Sequence, residues 1–194
     1  MRSTIIRSVY NLALLCEAFV ADFPLNDPPS IQHVCFTGSL DLTTNMAPAL
    51  DVKKIAMIGC GSMGGGMAQL FAEQGMSVGL QDPSTDAMDQ LIQRAQKDGV
   101  PNELKRFDDY KSLCAWLDNP RVFVWSLPHG FVGDKVLEGL MPYLSKGDII
   151  IDAANEHWEN SERRMGVCVT KGIRYVGMGV SGGYQAAYDT PNFV

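Results

Sequence analysis

The sequence has no long apolar run, no paired cysteine motif and no surplus of basic residues. The apolar stretch at residues 12–16 stops at Glu17, whereas a membrane-spanning helix needs roughly 20 apolar residues. With 16 basic and 22 acidic residues the net charge is −6, so we expect neither nucleic acid nor a membrane as a partner. The cysteines form no C-x-x-C pair, which indicates reduced thiols rather than a disulfide framework; they are Cys16, Cys35, Cys60, Cys114 and Cys168.

Histidine is scarce as well, which bears on metal binding. His33 and His157 have no further ligand residues at metal-binding spacing. We therefore expect no metal site.

The residues that are present suit one α/β domain preceded by an extension. The chain has 194 residues, of which 46% are apolar and 20% charged, enough to bury a core. We place the extension at residues 1–50 and the folded domain at residues 51–194. The extension opens with Arg2 and Arg7 and has no acid before Glu17. Two interpretations stay open: an organelle transit peptide, or an irregular extension without a targeting role on a cytoplasmic protein.

From residue 53 onward, short apolar runs alternate with segments of helical period, the pattern of βαβ units and a parallel sheet. Strands are predicted at residues 55–58, 77–80, 121–127, 148–152 and 173–178. Helices are predicted around residues 63–71, 88–95, 110–117, 132–140 and 159–171, with a polar link near Pro101. The fold class is therefore α/β, with a Rossmann-type, doubly wound and mainly parallel sheet.

A glycine-rich hexapeptide lies between the first predicted strand and the first helix. Residues 59–64 read Gly-Cys-Gly-Ser-Met-Gly and match G-x-G-x-x-G. In this motif Gly59 permits a tight turn, Gly61 lets the backbone approach a pyrophosphate, and Gly64 lets the helix pack on the strand. The helix N-terminus offers unpaired N–H groups to that anion. The position of the motif predicts dinucleotide binding.

An acidic residue follows the second predicted strand. Asp82 comes 23 residues after Gly59, where a carboxylate accepts hydrogen bonds from a ribose 2′-hydroxyl and repels a 2′-phosphate. No Arg or Lys occurs at residues 82–93, so we expect NAD rather than NADP. An alternative is that Asp82 caps the helix that begins near Ser84.

Further polar and glycine-rich segments follow the later strands, at the edge where ligands bind in such sheets. Leu127, Pro128 and His129 follow one strand, and His129 is either a proton-transfer group or a solvent-facing loop residue. Asn155 follows the next strand, and residues 177–183 (Gly-Met-Gly-Val-Ser-Gly-Gly) end the last one. These segments either contact the nicotinamide and a substrate or form ordinary turns.

Three of these segments resemble the 6-phosphogluconate dehydrogenase family of the β-hydroxyacid dehydrogenase superfamily, over about residues 53–190. Residues 58–64 (IGCGSMG) are similar to the family's I-G-L-x-x-M-G. Residues 147–155 (GDIIIDAAN) match G-D-I-I-I-D-G-G-N, and the family's following R-R recurs as Arg163 and Arg164. Residues 171–183 (KGIRYVGMGVSGG) match K-G-I-x-[FY]-V-G-x-G-V-S-G-G, a long and specific block.

The resemblance implies hydride transfer from C3 of 6-phosphogluconate to NADP or NAD, followed by loss of CO2 to give ribulose 5-phosphate. Together with the fingerprint it gives the cofactor-binding residues Gly59, Gly61, Ser62, Met63, Gly64, Asp82, Leu127, Pro128 and Asn155. The substrate-binding residues that it implies are Asn155, Ser181, Gly182 and Gly183.

The sequence also departs from the family. Ala153 and Ala154 replace two glycines, which adds two methyl groups beside the pocket, and Glu156 replaces a serine. We expect the acid at position 156 to repel an anionic substrate. Asp82, Pro83 and Ser84 stand where NADP-using members carry Asn-Arg-Thr, which again favours NAD.

The family's catalytic lysine and glutamic acid belong to a helical domain that these 194 residues do not include. We therefore assign no catalytic residue and expect no activity from these residues alone. Three interpretations stay open: a truncated 6-phosphogluconate dehydrogenase, a non-catalytic NAD(P)-binding module, and a fragment of a related β-hydroxyacid dehydrogenase.

Overall fold

The computed structural model describes residues 52–181 and 192–193. Its main sheet contains β1 (Lys54–Ile58), β2 (Ser77–Gln81), β3 (Leu104–Arg106), β4 (Val122–Trp125), β5 (Ile149–Asp152) and β6 (Arg174–Gly177). The helices are α1 (Ser62–Glu73), α2 (Thr85–Lys97), α3 (Tyr110–Trp116), α4 (Phe131–Leu140) and α5 (Trp158–Val169), and a 3-10 turn (Met141–Tyr143) follows α4. Across these described ranges, no helix combines the length and the apolar character needed to cross a membrane.

Residues 1–51, which contain the whole of the proposed N-terminal extension, lie outside the described residues. The domain boundary near residue 50 therefore stays a prediction.

The six strands form one parallel sheet in the order β3-β2-β1-β4-β5-β6. The chain runs outward from β1 to β3 and then returns to the other side of β1, so the direction of winding reverses between β1 and β4. This order confirms the predicted Rossmann-type fold, and ligands of such sheets bind at the carboxyl edge where the winding reverses. A separate antiparallel pair joins β7 (Val180–Ser181) to β8 (Asn192–Phe193).

The central strands consist almost entirely of apolar residues because helices cover both faces of the sheet. Every residue of β4 and β5 is buried, and so are four of the five residues of β1. On one face, Leu113 of α3, Leu137 of α4 and Cys168 of α5 pack into a single apolar cluster. Burying a large apolar side chain stabilises the fold by about 1.5–3 kcal/mol, so this layer holds the helices against the sheet.

One local prediction is wrong, and another strand is shorter than expected. β3 lies within the stretch interpreted as a polar link; it is an edge strand of three residues of which only Leu104 is buried, too short to give a periodic pattern. The strand expected at residues 121–127 ends at Trp125. Ser126 still donates its N–H to the Ile58 carbonyl at 2.9 Å, and the chain then turns away into the loop before α4.

A buried cation, Arg164 on α5, joins several elements near the carboxyl edge. Its side chain is 1% exposed, and its guanidinium pairs with Asp134 of α4 at 3.0 Å and with Asp152 of β5 at 3.1 Å. It also pairs with Glu156, in the turn after β5, at 3.0 Å. The remaining nitrogen, Nη2, donates to the Gly130 carbonyl at 2.5 Å. One side chain thus holds the start of α4, the end of β5 and α5 together.

A glycine and a tyrosine complete the surroundings of Arg164. A Cβ at Gly133 would lie 2.5 Å from Arg164 Cζ, so only glycine leaves room for the guanidinium beside α4. Tyr175 of β6 donates its hydroxyl to Asp152. Burial and the Asp152 carboxylate raise the pKa of Tyr175, which keeps it a donor at neutral pH.

We predict that replacing Arg164 by Met lowers the free energy of unfolding by about 3–5 kcal/mol, because the change leaves buried carboxylates without their cation. Arg163→Met is the matched control, since Arg163 also pairs with Asp134 but is 54% exposed. An exposed pair of this kind contributes about 0–1 kcal/mol. Urea unfolding of both variants measures the difference, and equal losses would contradict the role given to Arg164.

Candidate dinucleotide site at the carboxyl edge of the sheet

The glycine-rich turn after β1 is shaped by two close approaches of the backbone. Gly59 has φ of +93°, a conformation that side chains disfavour, and a Cβ there would overlap the Ser126 carbonyl oxygen. A Cβ at Gly64 would overlap the Gly59 carbonyl oxygen. The two glycines therefore let α1 begin directly against β1 and β4, as the fingerprint predicts.

Gly61, between these two glycines, leaves space where the predicted pyrophosphate would pass. A Cβ at Gly61 would meet no atom within 4 Å, and no side chain caps α1, whose first turn contains no acidic residue. The first N–H groups of α1 thus face an open surface with the positive end of the helix dipole. These properties fit a dinucleotide pyrophosphate.

Asp82, at the end of β2, is held by the backbone of the same edge. One carboxylate oxygen accepts the Cys60 N–H at 2.7 Å, and the other accepts the Ser84 N–H at 2.8 Å. The cap of α2 is the Ser84 hydroxyl, which accepts the Ala87 N–H at 3.2 Å, so the alternative that Asp82 caps this helix is wrong. The hydrogen bond from Cys60 instead ties the carboxylate to the glycine-rich turn.

The cation on the strand beside β2 is already paired. Arg106 of β3 lies opposite Leu80 of β2 and contacts two carboxylates, Asp89 at 2.9 Å and Asp108 at 3.3 Å. Its charge is therefore compensated at the edge where Asp82 lies.

A cleft of about 300 Å³ opens on the other side of the glycine-rich turn. It lies where β1, β4 and β5 end, and its walls combine apolar side chains with polar backbone and side-chain atoms. The lining residues are Met63, Met67, Ser126, Leu127, Ala153, Ala154, Asn155 and Val180. Both alanines that replace family glycines thus face the cleft, as expected. Such a cleft, with both apolar and polar groups on its walls, suits a flat ring that carries an amide.

Asn155 is held in one orientation by Val180. Its Oδ1 accepts the Val180 N–H at 2.7 Å, and its Nδ2 donates to the Val180 carbonyl at 2.9 Å. Its backbone has φ of +56°, a region that asparagine tolerates better than most residues. Asn155 therefore fastens the segment after β6 to the turn after β5, which leaves one amide hydrogen and one oxygen lone pair for a ligand.

Glu156 does not act as expected from its place beside Asn155. Its side chain is 4% exposed and pairs with Arg164, so its charge is compensated and the expected repulsion of an anionic substrate is not supported. Burial would raise the pKa of Glu156, but hydrogen bonds from Asn160, the Gly130 and His157 N–H groups and Arg164 lower it to about 2. Glu156 is therefore ionised at neutral pH, and its negative charge is neutralised by Arg164 rather than facing a ligand.

The other predicted site residues fall into two groups. Leu127 lines the cleft, whereas Pro128 and His129 are exposed on the same loop. The backbone of Ser181 lies in β7, and Gly182 and Gly183 lie outside the described residues. The roles given to these residues stay predictions. Sequence reasoning missed Met67 and Ser126 as lining residues, although the helical spacing of Met67 from Met63 places both methionines on one face of α1.

Neither metal nor thiol chemistry is evident in the part of the chain that the structure describes. No three His, Cys, Asp or Glu side chains there lie close enough to hold an ion. Cys60, inside the fingerprint, is 5% exposed, and burial together with the Asp82 charge raises its pKa to about 12. Its thiol is therefore protonated and a poor nucleophile.

Comparison with known proteins agrees with this geometry. A family model described as the NAD binding domain of 6-phosphogluconate dehydrogenase matches residues 54–194. The Rossmann-type fold, the glycine-rich turn and the family match together define the NAD(P)-binding domain of an oxidoreductase. The chain belongs to the 6-phosphogluconate dehydrogenase family.

Curated relatives match most of this chain but only part of their own. The chain is 35% identical over 147 residues to 6-phosphogluconate dehydrogenase, decarboxylating 2, of Arabidopsis thaliana, covering 75% of this chain and 30% of that protein. It is 35% identical over 140 residues to the NAD(+)-dependent, decarboxylating enzyme of Bacillus subtilis, covering 72% and 29%. The chain thus spans less than a third of the length of these relatives.

Solved structures are similar over the same region. A Plasmodium falciparum 6-phosphogluconate dehydrogenase, studied in its apo form and in complexes with NADP+ and with 6-phosphogluconate, has a TM-score of 0.67 and 28% identity, covering 72% of this chain and 30% of that one. A 3-hydroxyisobutyrate dehydrogenase of Mycobacterium tuberculosis has a TM-score of 0.63 at 22% identity, covering 73% and 45%. The second similarity supports the fold alone.

We predict that alanine at two positions of the glycine-rich turn affects different properties, stability at Gly64 and NAD binding at Gly61. Gly64→Ala should lower the free energy of unfolding by about 1–3 kcal/mol or more, because the methyl group overlaps backbone. Gly61→Ala should leave stability within about 0.5 kcal/mol but weaken NAD binding about tenfold, a loss of about 1.4 kcal/mol, because the methyl group fills the open space. Thermal unfolding and calorimetric titration measure the two effects. A Gly61→Ala protein that binds NAD normally would contradict this position for the pyrophosphate.

Proposed function

We propose that these residues form a dinucleotide-binding unit that prefers NAD and, within a 6-phosphogluconate dehydrogenase, presents the nicotinamide to a sugar acid. The observation that carries the proposal is the open helix N-terminus at Gly61 with Asp82 hydrogen-bonded to the adjacent Cys60 N–H. In folds of this class the pyrophosphate occupies such a turn, and an acid at the end of β2 accepts the ribose hydroxyls.

The preference for NAD rests on charge. A 2′-phosphate would add negative charge beside the Asp82 carboxylate, and Arg106, on the neighbouring strand, is already paired with two acids. NADP binding would then proceed without a compensating cation from this edge. The NAD(+)-dependent Bacillus subtilis relative lends support, while the Plasmodium falciparum relative was studied with NADP+.

For the other half of the cofactor, we assign the cleft beside Asn155 to the nicotinamide. When bound there, the nicotinamide accepts a hydride. Leu127, Met63 and the two alanines exclude water from the ring, and Asn155 offers its remaining amide hydrogen to the ring's carboxamide or to a substrate hydroxyl. Ser181, Gly182 and Gly183 stay our proposed contacts to the sugar acid.

The same cleft favours a role in binding rather than in complete catalysis. Among the described residues that line it, none has a side chain that exchanges a proton near neutral pH, and general acid–base catalysis contributes roughly 10²–10⁴-fold in rate. The acid and base for 6-phosphogluconate are therefore proposed to come from outside these residues. A non-catalytic NAD(P)-binding module is the second candidate that this observation favours.

We predict that the 194-residue chain binds NAD but does not reduce it with 6-phosphogluconate. Calorimetric titration should give a dissociation constant below about 1 mM, equivalent to roughly −4 kcal/mol, and absorbance at the NADH band should stay at the level of a blank. Gly64→Ala, which disturbs the turn, is the negative control for binding. The absence of binding at millimolar NAD and NADP would contradict the binding role, whereas clear NADH formation would contradict the proposed source of the acid and base.

We predict that Asp82→Asn shifts the NAD-to-NADP affinity ratio by about tenfold toward NADP, or about 1.4 kcal/mol, because the amide keeps an acceptor but loses the charge that repels a phosphate. Asp86→Asn, in the first turn of α2, removes the same charge from an exposed position and should leave the ratio unchanged. Parallel titrations with both dinucleotides decide the matter. An unchanged ratio in Asp82→Asn would mean that the carboxylate only holds the turn.

A further inference from the structure

We infer that Glu156 is a positioning residue for the nicotinamide half of the dinucleotide, because it holds the end of the loop 127–130, whose Leu127 lines the cleft. The inference rests on the proposed function and extends it to a residue that touches neither the cleft nor the glycine-rich turn. Four observations carry it.

The first observation is that both backbone polar groups of Gly130 are hydrogen-bonded to charged side chains. The Gly130 N–H donates to Glu156 Oε2 at 2.7 Å, and the Gly130 carbonyl accepts from Arg164 Nη2 at 2.5 Å. Glu156 Oε2 and Arg164 Nη1 are themselves 3.0 Å apart. The three hydrogen bonds close a ring, so Gly130 cannot shift on its own without losing a hydrogen bond to a charged side chain.

The second observation is the place of Gly130 in the loop. Gly130 has φ of +93° and precedes the first residue of α4 without a capping side chain. The loop is fixed at its other end by Ser126, whose N–H donates to the Ile58 carbonyl. Leu127, between the two anchors, lines the cleft, so the hydrogen bonds at Gly130 help to set where that wall stands.

The third observation is that Glu156 directly follows Asn155. Asn155 and Leu127 both line the cleft, and they follow two neighbouring strands, β5 and β4. The Glu156 side chain therefore links the turn that carries Asn155 to the loop that carries Leu127. A displacement of even 1 Å at a reacting position costs much of an enzyme's rate.

The fourth observation is that Glu156 has one orientation. Its Oε1 accepts the His157 N–H at 2.8 Å and Asn160 Nδ2 at 3.0 Å, both at the start of α5. A carboxylate is favoured at that end of a helix. With Oε1 fixed there, Oε2 is left to point at Gly130 and Arg164.

A stabilising role alone would predict a different result from a positioning role. In this fold the adenosine half binds beside β2 and the nicotinamide half on the other side of the glycine-rich turn. Loss of the Glu156 contacts should then weaken ligands that carry a nicotinamide and spare those that lack one. A general loss of structure would weaken both.

The experiment compares NAD with ADP-ribose, which keeps the adenosine and the pyrophosphate but lacks the nicotinamide. Glu156→Ala should weaken NAD about tenfold, or about 1.4 kcal/mol, and change ADP-ribose less than about twofold. Glu156→Gln should restore only part of the NAD affinity, because its amide oxygen can accept the Gly130 N–H but its NH2 group then faces the His157 N–H and Asn160 Nδ2, which are both donors. Glu159→Ala, on the exposed side of the same helix turn, is the control and should change neither ligand.

If Glu156→Ala does not fold, Glu156→Asp replaces it, because the shorter acid keeps the charge but falls short of Gly130; it should weaken NAD alone. Equal weakening of both ligands, or unchanged NAD affinity in a folded Ala or Asp variant, would overturn the positioning role while leaving the proposed function intact. Failure of the unchanged chain to bind either ligand would overturn the proposed function, and the positioning role with it.

Discussion

The fold depends most on the need to keep one buried guanidinium neutralised. Arg164 is 1% exposed, and an ion so far from water is tolerated only when oppositely charged groups surround it. Those groups come from α4, from the end of β5 and from the turn that follows. Because each must stay within hydrogen-bonding distance, the ion fixes where these segments stand at the carboxyl edge. The cleft between Leu127 and Asn155 is shaped by the same requirement.

The two halves of the candidate site are built in different ways. On the side of β2, the backbone shapes the site. Gly59 and Gly64 have no side chain and so allow close backbone contacts, and Gly61 leaves the end of the helix open. On the side of β5, side chains shape the site: Asn155 pairs with the backbone of Val180, and Glu156 joins Arg164 to Gly130. An acidic protein can thus accept an anionic cofactor, since the attraction comes from peptide dipoles rather than from basic residues.

The features that repeat locally were predictable from the sequence, and those that depend on distant partners were not. The strand-turn-helix spacing predicts the sheet, the turn at Gly59 and the acid at Asp82, because each depends on neighbours in the chain. β3 has too few apolar residues to produce a strand pattern in the sequence. The environment of Glu156 arises from Arg164 and Gly130, eight and 26 residues away, so its position beside Asn155 suggested the wrong neighbour. The pairing of Asn155 with Val180 likewise requires the sheet to be known.

The pairing of Asn155 with Val180 fixes which way the donor and the acceptor of the Asn155 amide face at the cleft. An amide side chain usually exchanges its oxygen and nitrogen by rotating half a turn, at little cost. In Asn155 such a rotation would put Nδ2 against the Val180 N–H and Oδ1 against the Val180 carbonyl, so two attractions would become two repulsions. The order of donor and acceptor along the rim is thereby locked. Only a ligand whose own acceptor and donor stand in the matching order can pair with both remaining positions of the Asn155 amide.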